Sequence, residues 1–190
     1  MQQITKWLEE VYGTVTVQSF LERLEWVDWL AFTFLILGIL YGLKKGFLRE
    51  LVEIAEMVLI VYLVMGIYEK IAAVIRAQTK KIPYDSADAV AYIFSGIVIW
   101  FVVMVIDNYG KKLFHAKAIK PIHYTGGAIL GFFHWLLIYS FICLGLSFMP
   151  FWPVKMVFEV GNSYIGYKIV KIAPLVYEFV SLPVQFLQNL

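Results

Sequence analysis

The sequence predicts an all-α, polytopic membrane protein with about four hydrophobic segments and an amphipathic helix at each end. Two observations carry this prediction. The first is composition: of 190 residues, 61% are hydrophobic and 16% charged, and the mean hydropathy is +0.76. A soluble domain is about half apolar and about a quarter charged, so this chain is suited to lipid as solvent. The second is placement: the 16 lysines and arginines fall mostly in short groups between long apolar runs, where they meet lipid headgroups. The net charge of +2 is too small to suggest a polyanion, so the expected partner is the lipid bilayer and not nucleic acid.

Residues 3–15 place Ile4, Trp7, Leu8, Val11, Tyr12 and Val15 at helical spacing, with Gln3, Lys6, Glu9 and Glu10 mostly opposite. This amphipathic helix lies in the membrane interface or packs on the protein, and Gly13 closes it. Residues 1–25 form an extension, 26–153 a membrane domain and 154–190 an interfacial tail. A cleaved signal peptide is not expected, because Glu9, Glu10, Glu22 and Glu25 precede the first apolar run and Lys44-Lys45 follows it.

The first segment, Trp29 to Leu43, is bracketed by Asp28 and Lys44-Lys45 and is short for a crossing that needs roughly 20 residues. Trp26 and Trp29 suit an interfacial belt. The second, Phe47 to about Ile75, is free of charge only between Met57 and Tyr68. Two models stay open here: a hairpin of tilted spans, or a re-entrant pair that dips in and returns. A polar connection, 76–88, leads to the third segment, Ala89 to Ile106, which Asp107-Asn108 ends. The fourth, Tyr124 to Trp152, carries no charge unless His134 is protonated, and Pro150 and Pro153 punctuate its end. In the tail, a helix over about 164–180 is interrupted at Pro174. Positive charge occurs in every connection, so the positive-inside rule does not orient the chain.

Few residues point to chemistry. Gly38, Gly42 and Gly46 recur every fourth residue, as do Gly127 and Gly131 with Gly126 beside them. Such faces let helix backbones approach closely where lipid supplies no hydrophobic drive. Glu50, Glu53 and Glu56 advance by three along one helix face and form a candidate ion path. The reading preferred for them is a solvated or headgroup-level acidic face, favoured by the helix N-terminus and by Lys44, Lys45 and Arg49. His134 has no second histidine or carboxylate at i±3 or i±4 and reads as a hydrogen-bonded packing residue. The single cysteine, Cys143, excludes an internal disulfide and a Cys-based metal cage. Protease, hydrolase, phosphate-loop and paired-cysteine signatures are all missing. Neither an enzyme nor a cofactor is expected.

Asp28 before an apolar run, then Gly42-Leu43-Lys44-Lys45-Gly46-Phe47-Leu48-Arg49-Glu50-Leu51, resembles the opening of the colicin V production (CvpA-like) family of bacterial membrane proteins. Gly126-Gly127-Ala128-Ile129-Leu130-Gly131-Phe132 is similar to the family's glycine-rich last span. Ser163-Tyr164 with the later Pro174 resembles its serine-bearing segment. These matches cover about residues 26 to 180. The chain departs from the family at His123-Tyr124-Thr125, where an acidic residue is common.

The resemblance implies a multi-pass protein of the bacterial inner membrane, linked to colicin V production or export and more broadly to the envelope. The resemblance implies no particular biochemical activity, and the residues themselves support two expectations, the first preferred. One is a non-enzymatic protein that supports toxin production, secretion or envelope homeostasis through helix association, with itself or with another membrane protein. The other is a small channel or transporter with a site near the broken helix at Gly42 to Gly46.

Overall fold

The computed structural model describes residues 24–78, 84–110, 120–158, 163 and 165–188. The helix expected over 3–15, and Lys111, Lys112 and Lys117, lie outside them. The described residues are α-helical throughout their main elements: α1 Trp26–Lys45, α2 Phe47–Gln78, α3 Tyr84–Gly110, α4 Lys120–Ser147, α5 Trp152–Val157, α6 Gly166–Ile169 and α7 Ile172–Gln188. The first four are long and apolar enough to cross a membrane.

The second segment is one continuous helix of 32 residues, about 48 Å at 1.5 Å per residue. Its early charges do not shorten it, because several are covered by neighbouring helices. The first helix begins three residues earlier than the apolar run alone indicates, with Asp28 in its first turn and Lys44 and Lys45 in its last, as the helix dipole favours. The third helix passes through Asp107-Asn108 and ends at Gly110, since neither residue is barred from a last helical turn.

Helix α4 is the centre of the bundle. Along one side it meets α1 antiparallel, with Gly38 against Gly131 and Gly42 against Gly127. Along another it meets α2, and the two run in the same direction: Glu50 near the start of α2 lies by His134, and Tyr68 further along packs on Phe148, beyond the end of α4. Helix α3 returns along α2, with Arg76 paired to Asp88 and Tyr68 edge-on to Tyr92. It touches α4 sparingly. The main core, Met57, Ile60, Val61, Val64, Tyr92 and Leu137 among others, fills the space between α2, α3 and α4. The outer face of α3 exposes Phe94, Ile97, Trp100 and Phe101, which suits contact with lipid chains.

Gly46 links α1 to α2 by itself. Its φ of +83° is open to glycine and strained for other residues, and the His123 imidazole occupies the place a side chain would take.

The tail is tied into the bundle rather than laid beside it. Its break falls at Val170-Lys171, ahead of Pro174, because proline is accepted in the first turn of a new helix. The Ser140 hydroxyl inserts at this joint. It donates to the Ile169 carbonyl at 2.6 Å and accepts from the Ala173 amide at 2.8 Å, the two groups an unbroken helix would pair. Helix α7 packs on α2 through Tyr177 against Tyr62 and exposes Leu175, Phe179 and Leu182 on one side, an arrangement suited to the membrane interface.

A leucine at Gly42 or Gly127 is expected to force α1 and α4 apart and to destabilise the bundle by about 3 kcal/mol. Unfolding in lipid nanodiscs checks this; an unchanged midpoint would mean that the backbones are not in contact.

Candidate functional site

Three groups of predicted residues meet around α4. The first is the glycine seam. A Cβ on Gly42 would fall inside contact distance of the Gly127 carbonyl oxygen, and one on Gly127 or Gly131 would strike the backbone of α1 in return. At Gly38 the nearest atoms would be the Gly131 oxygen and Trp135 Cβ, each at 2.7 Å. Gly126 makes room for the Phe47 ring, whose Cδ2 would lie 2.7 Å from an added Cβ. The two glycine motifs therefore face each other within one chain, and the surface they form is spent there rather than offered to a second molecule.

The second group joins Asp28 to the tail. Asp28 is fully buried, and its Oδ1 accepts the amides of Ile165 and Gly166, both at 2.9 Å. Its Oδ2 accepts the Glu25 amide at 3.2 Å. Ser163 Oγ accepts the Tyr167 amide at 3.0 Å, and Gly166 is held where a Cβ would meet Ser163 Oγ at 2.8 Å and Val27 Cγ1 at 2.9 Å. Asp28 and Ser163 thus act on one short stretch of backbone from opposite ends of the chain. Their work is structural: a buried carboxylate satisfies amides that have left regular helix.

The third group is charged. Glu50 is fully buried, and its Oε2 lies 3.1 Å from Nδ1 of His134, an imidazole N–H that donates when the carboxylate is ionised. Glu53 Oε2 is 3.7 Å from the same nitrogen. Lys45 Nζ pairs with Glu53 and stands 4.0 Å from Glu50 Oε1, which has no hydrogen-bond partner among the described residues. Arg49 reaches Glu53 Oε1 at 3.2 Å from an exposed position. His134 lies near the middle of α4 along the chain.

At Glu50 full burial under α4 replaces the expected solvated face. The three glutamates do not share one environment: Glu50 is turned under α4, while Glu53 and Glu56 are half-buried on the wall of a cavity. The reason is the turn at Gly46, which brings α2 back against α4 within one helical turn. His134 is hydrogen-bonded, as expected, but its partner comes from another helix 84 positions away, where spacing along α4 had no means of finding it.

Glu50, Glu53 and His134 bring one ligand atom each within 4.8 Å of one another, a donor set that suits a divalent transition metal. Lys45 already supplies a positive charge to the same carboxylates, so the cluster is paired without a metal.

The cavity measures about 590 Å³ and lies between α2, α3 and α4. Glu53, Glu56, Asp107 and His134 stand at one end, and apolar side chains such as Ile97, Trp100 and Ile142 line the rest.

The fold and site define a multi-pass helical membrane protein with a buried charged cluster beside a largely apolar cavity. Residues 27–174 match the family described as Colicin V production protein, and the chain belongs to that family. No curated protein and no solved structure gives a significant match.

Replacing Asp28 with alanine leaves the Ile165 and Gly166 amides without their acceptor and is expected to destabilise the fold by about 1–3 kcal/mol. Ser163→Ala, which strands one amide, should have the smaller effect. Thermal unfolding of both variants measures this; an order reversed, or an unaffected Asp28 variant, would count against the assignment.

Proposed function

We propose that this protein serves the bacterial inner membrane as a non-enzymatic small channel or transporter, supporting toxin production or secretion or envelope homeostasis. The observation that carries the reading is Glu50, a carboxylate with no exposed surface, hydrogen-bonded to His134 on a helix long and apolar enough to cross a membrane. Ionisable groups inside a membrane bundle are expensive, and replacing a buried ion pair with apolar residues is often neutral or stabilising. Stability alone therefore gives little reason to keep them, whereas a path for a positively charged cargo does.

Helix association has its own support in the glycine seam, but that seam works within the chain. It explains how the site is held and not what a partner would bind. The turn at Gly46 adds to the transport reading, since irregular backbone within a bundle is tolerated where it lines or supports a site.

The purified protein in liposomes should pass cations above the level of protein-free vesicles. Glu50→Gln should reduce this flux by about tenfold or more, the effect of about 1.4 kcal/mol or more. An absence of flux from the parent protein would remove the transport reading.

A further inference from the structure

The charged cluster restricts which positively charged cargo fits it. Lys45 Nζ is paired with one oxygen of Glu53 and stands 4.0 Å from Glu50 Oε1. Arg49 holds the other Glu53 oxygen at 3.2 Å. The seat that a sodium or metal ion would take beside these carboxylates is therefore filled by the protein's own cations. Glu50 has no exposed surface, so an ion reaches it only by shedding its water and parting the helices that cover it.

A proton does not meet that obstacle, because it moves between hydrogen-bonded atoms and displaces nothing. His134 Nδ1 lies 3.1 Å from Glu50 Oε2, and this contact survives a change of protonation. With Glu50 ionised, Nδ1–H donates and Nε2 carries a lone pair. A proton taken up at Nε2 gives an imidazolium. The Nδ1 proton then crosses to Oε2, leaving a neutral carboxylic acid that donates back to Nδ1 of a neutral imidazole. One proton is gained and the hydrogen bond is kept. Glu50 Oε1 is buried and has no hydrogen-bond partner among the described residues. Such an oxygen costs less in a neutral acid than in a carboxylate, where it carries part of the charge.

His134 is approached from two sides. Glu53 Oε2 is 3.7 Å from Nδ1 and leads to the exposed Arg49 at the start of α2. On the other side His134 lines the cavity, which runs past Ile138 and Phe141 to Met149, beyond the end of α4. Its volume of about 590 Å³ is many times the ~30 Å³ that one water occupies. Charges on three helices act on the pair. Lys45 on α1 and Arg49 on α2 disfavour an added proton, whereas Glu53 and Glu56 on α2 and Asp107 on α3 favour it.

We propose that the cation handled at this site is a proton, held and passed by the Glu50–His134 pair. This rests on the transport reading and narrows its cargo, and the proton site itself is tested without transport.

Infrared difference spectra of the full chain in nanodiscs, between neutral and acid pH, should contain a carboxylic-acid carbonyl band that Glu50→Gln removes. His134→Gln should displace the same band, since the acid loses its imidazole partner. In liposomes carrying a potassium diffusion potential set by valinomycin, the parent should acidify an internal pH dye faster than protein-free vesicles do. The rate should fall in D2O, a measurement that needs no variant, and should drop about tenfold or more in Glu50→Gln. A sodium gradient should drive no sodium into the same liposomes.

A spectrum in which no band belongs to Glu50 would overturn the proposal, as would proton flux undiminished in a folded Glu50→Gln protein. Sodium flux without proton flux would overturn the proton assignment and leave the transport reading standing. The Glu50 band in a protein that moves neither ion would remove the transport reading and leave the proton site.

Discussion

The structure depends on the contact between two backbones. Helices α1 and α4 approach so closely at Gly42 and Gly127 that neither position has room for a Cβ, and the rest of the bundle is arranged around that approach. In lipid, apolar side chains gain little from meeting each other, so close packing and interhelical hydrogen bonds must supply the association. The seam also sets the position of the turn. With α1 fixed against α4, Gly46 sits over His123 and Gly127, and α2 must leave from there.

The consequences run outward from that point. Because α2 departs against α4, Glu50 is covered by the bundle, and His134 is the group it finds. Lys45 at the end of α1 and Arg49 at the start of α2 close on Glu53. Helix α3 has α2 as its main neighbour, which leaves the gap towards α4. At the far end, Asp28 holds the start of α6 and Ser140 the α6–α7 joint, so the tail is fixed by the same two helices that form the seam.

Much of this was legible along the chain, and what was not has a common cause. Apolar runs of helical length reveal the four spans because the bilayer imposes length and polarity locally. Glycines at every fourth position reveal which faces pack closely, but not that the two faces meet each other. The pairing of Glu50 with His134, and of Asp28 with residues 165 and 166, joins positions far apart in sequence, and no periodicity records such contacts. The glutamates misled for a related reason: position in a first helical turn implies proximity to water only when no other helix covers that turn. The break before Pro174 was displaced for a local reason, the tolerance of proline in a first turn.

The central claim is that the seam delivers Glu50 to His134 as a coupled buried pair, and a double-mutant cycle tests it most directly. Unfolding free energies would be measured in nanodiscs for the parent, Glu50→Gln, His134→Gln and the double variant. A coupling energy of about 1–3 kcal/mol is the result this account predicts for residues that share a buried hydrogen bond. Additive effects would contradict it, and with it the placement of α2 against α4 on which the candidate site rests.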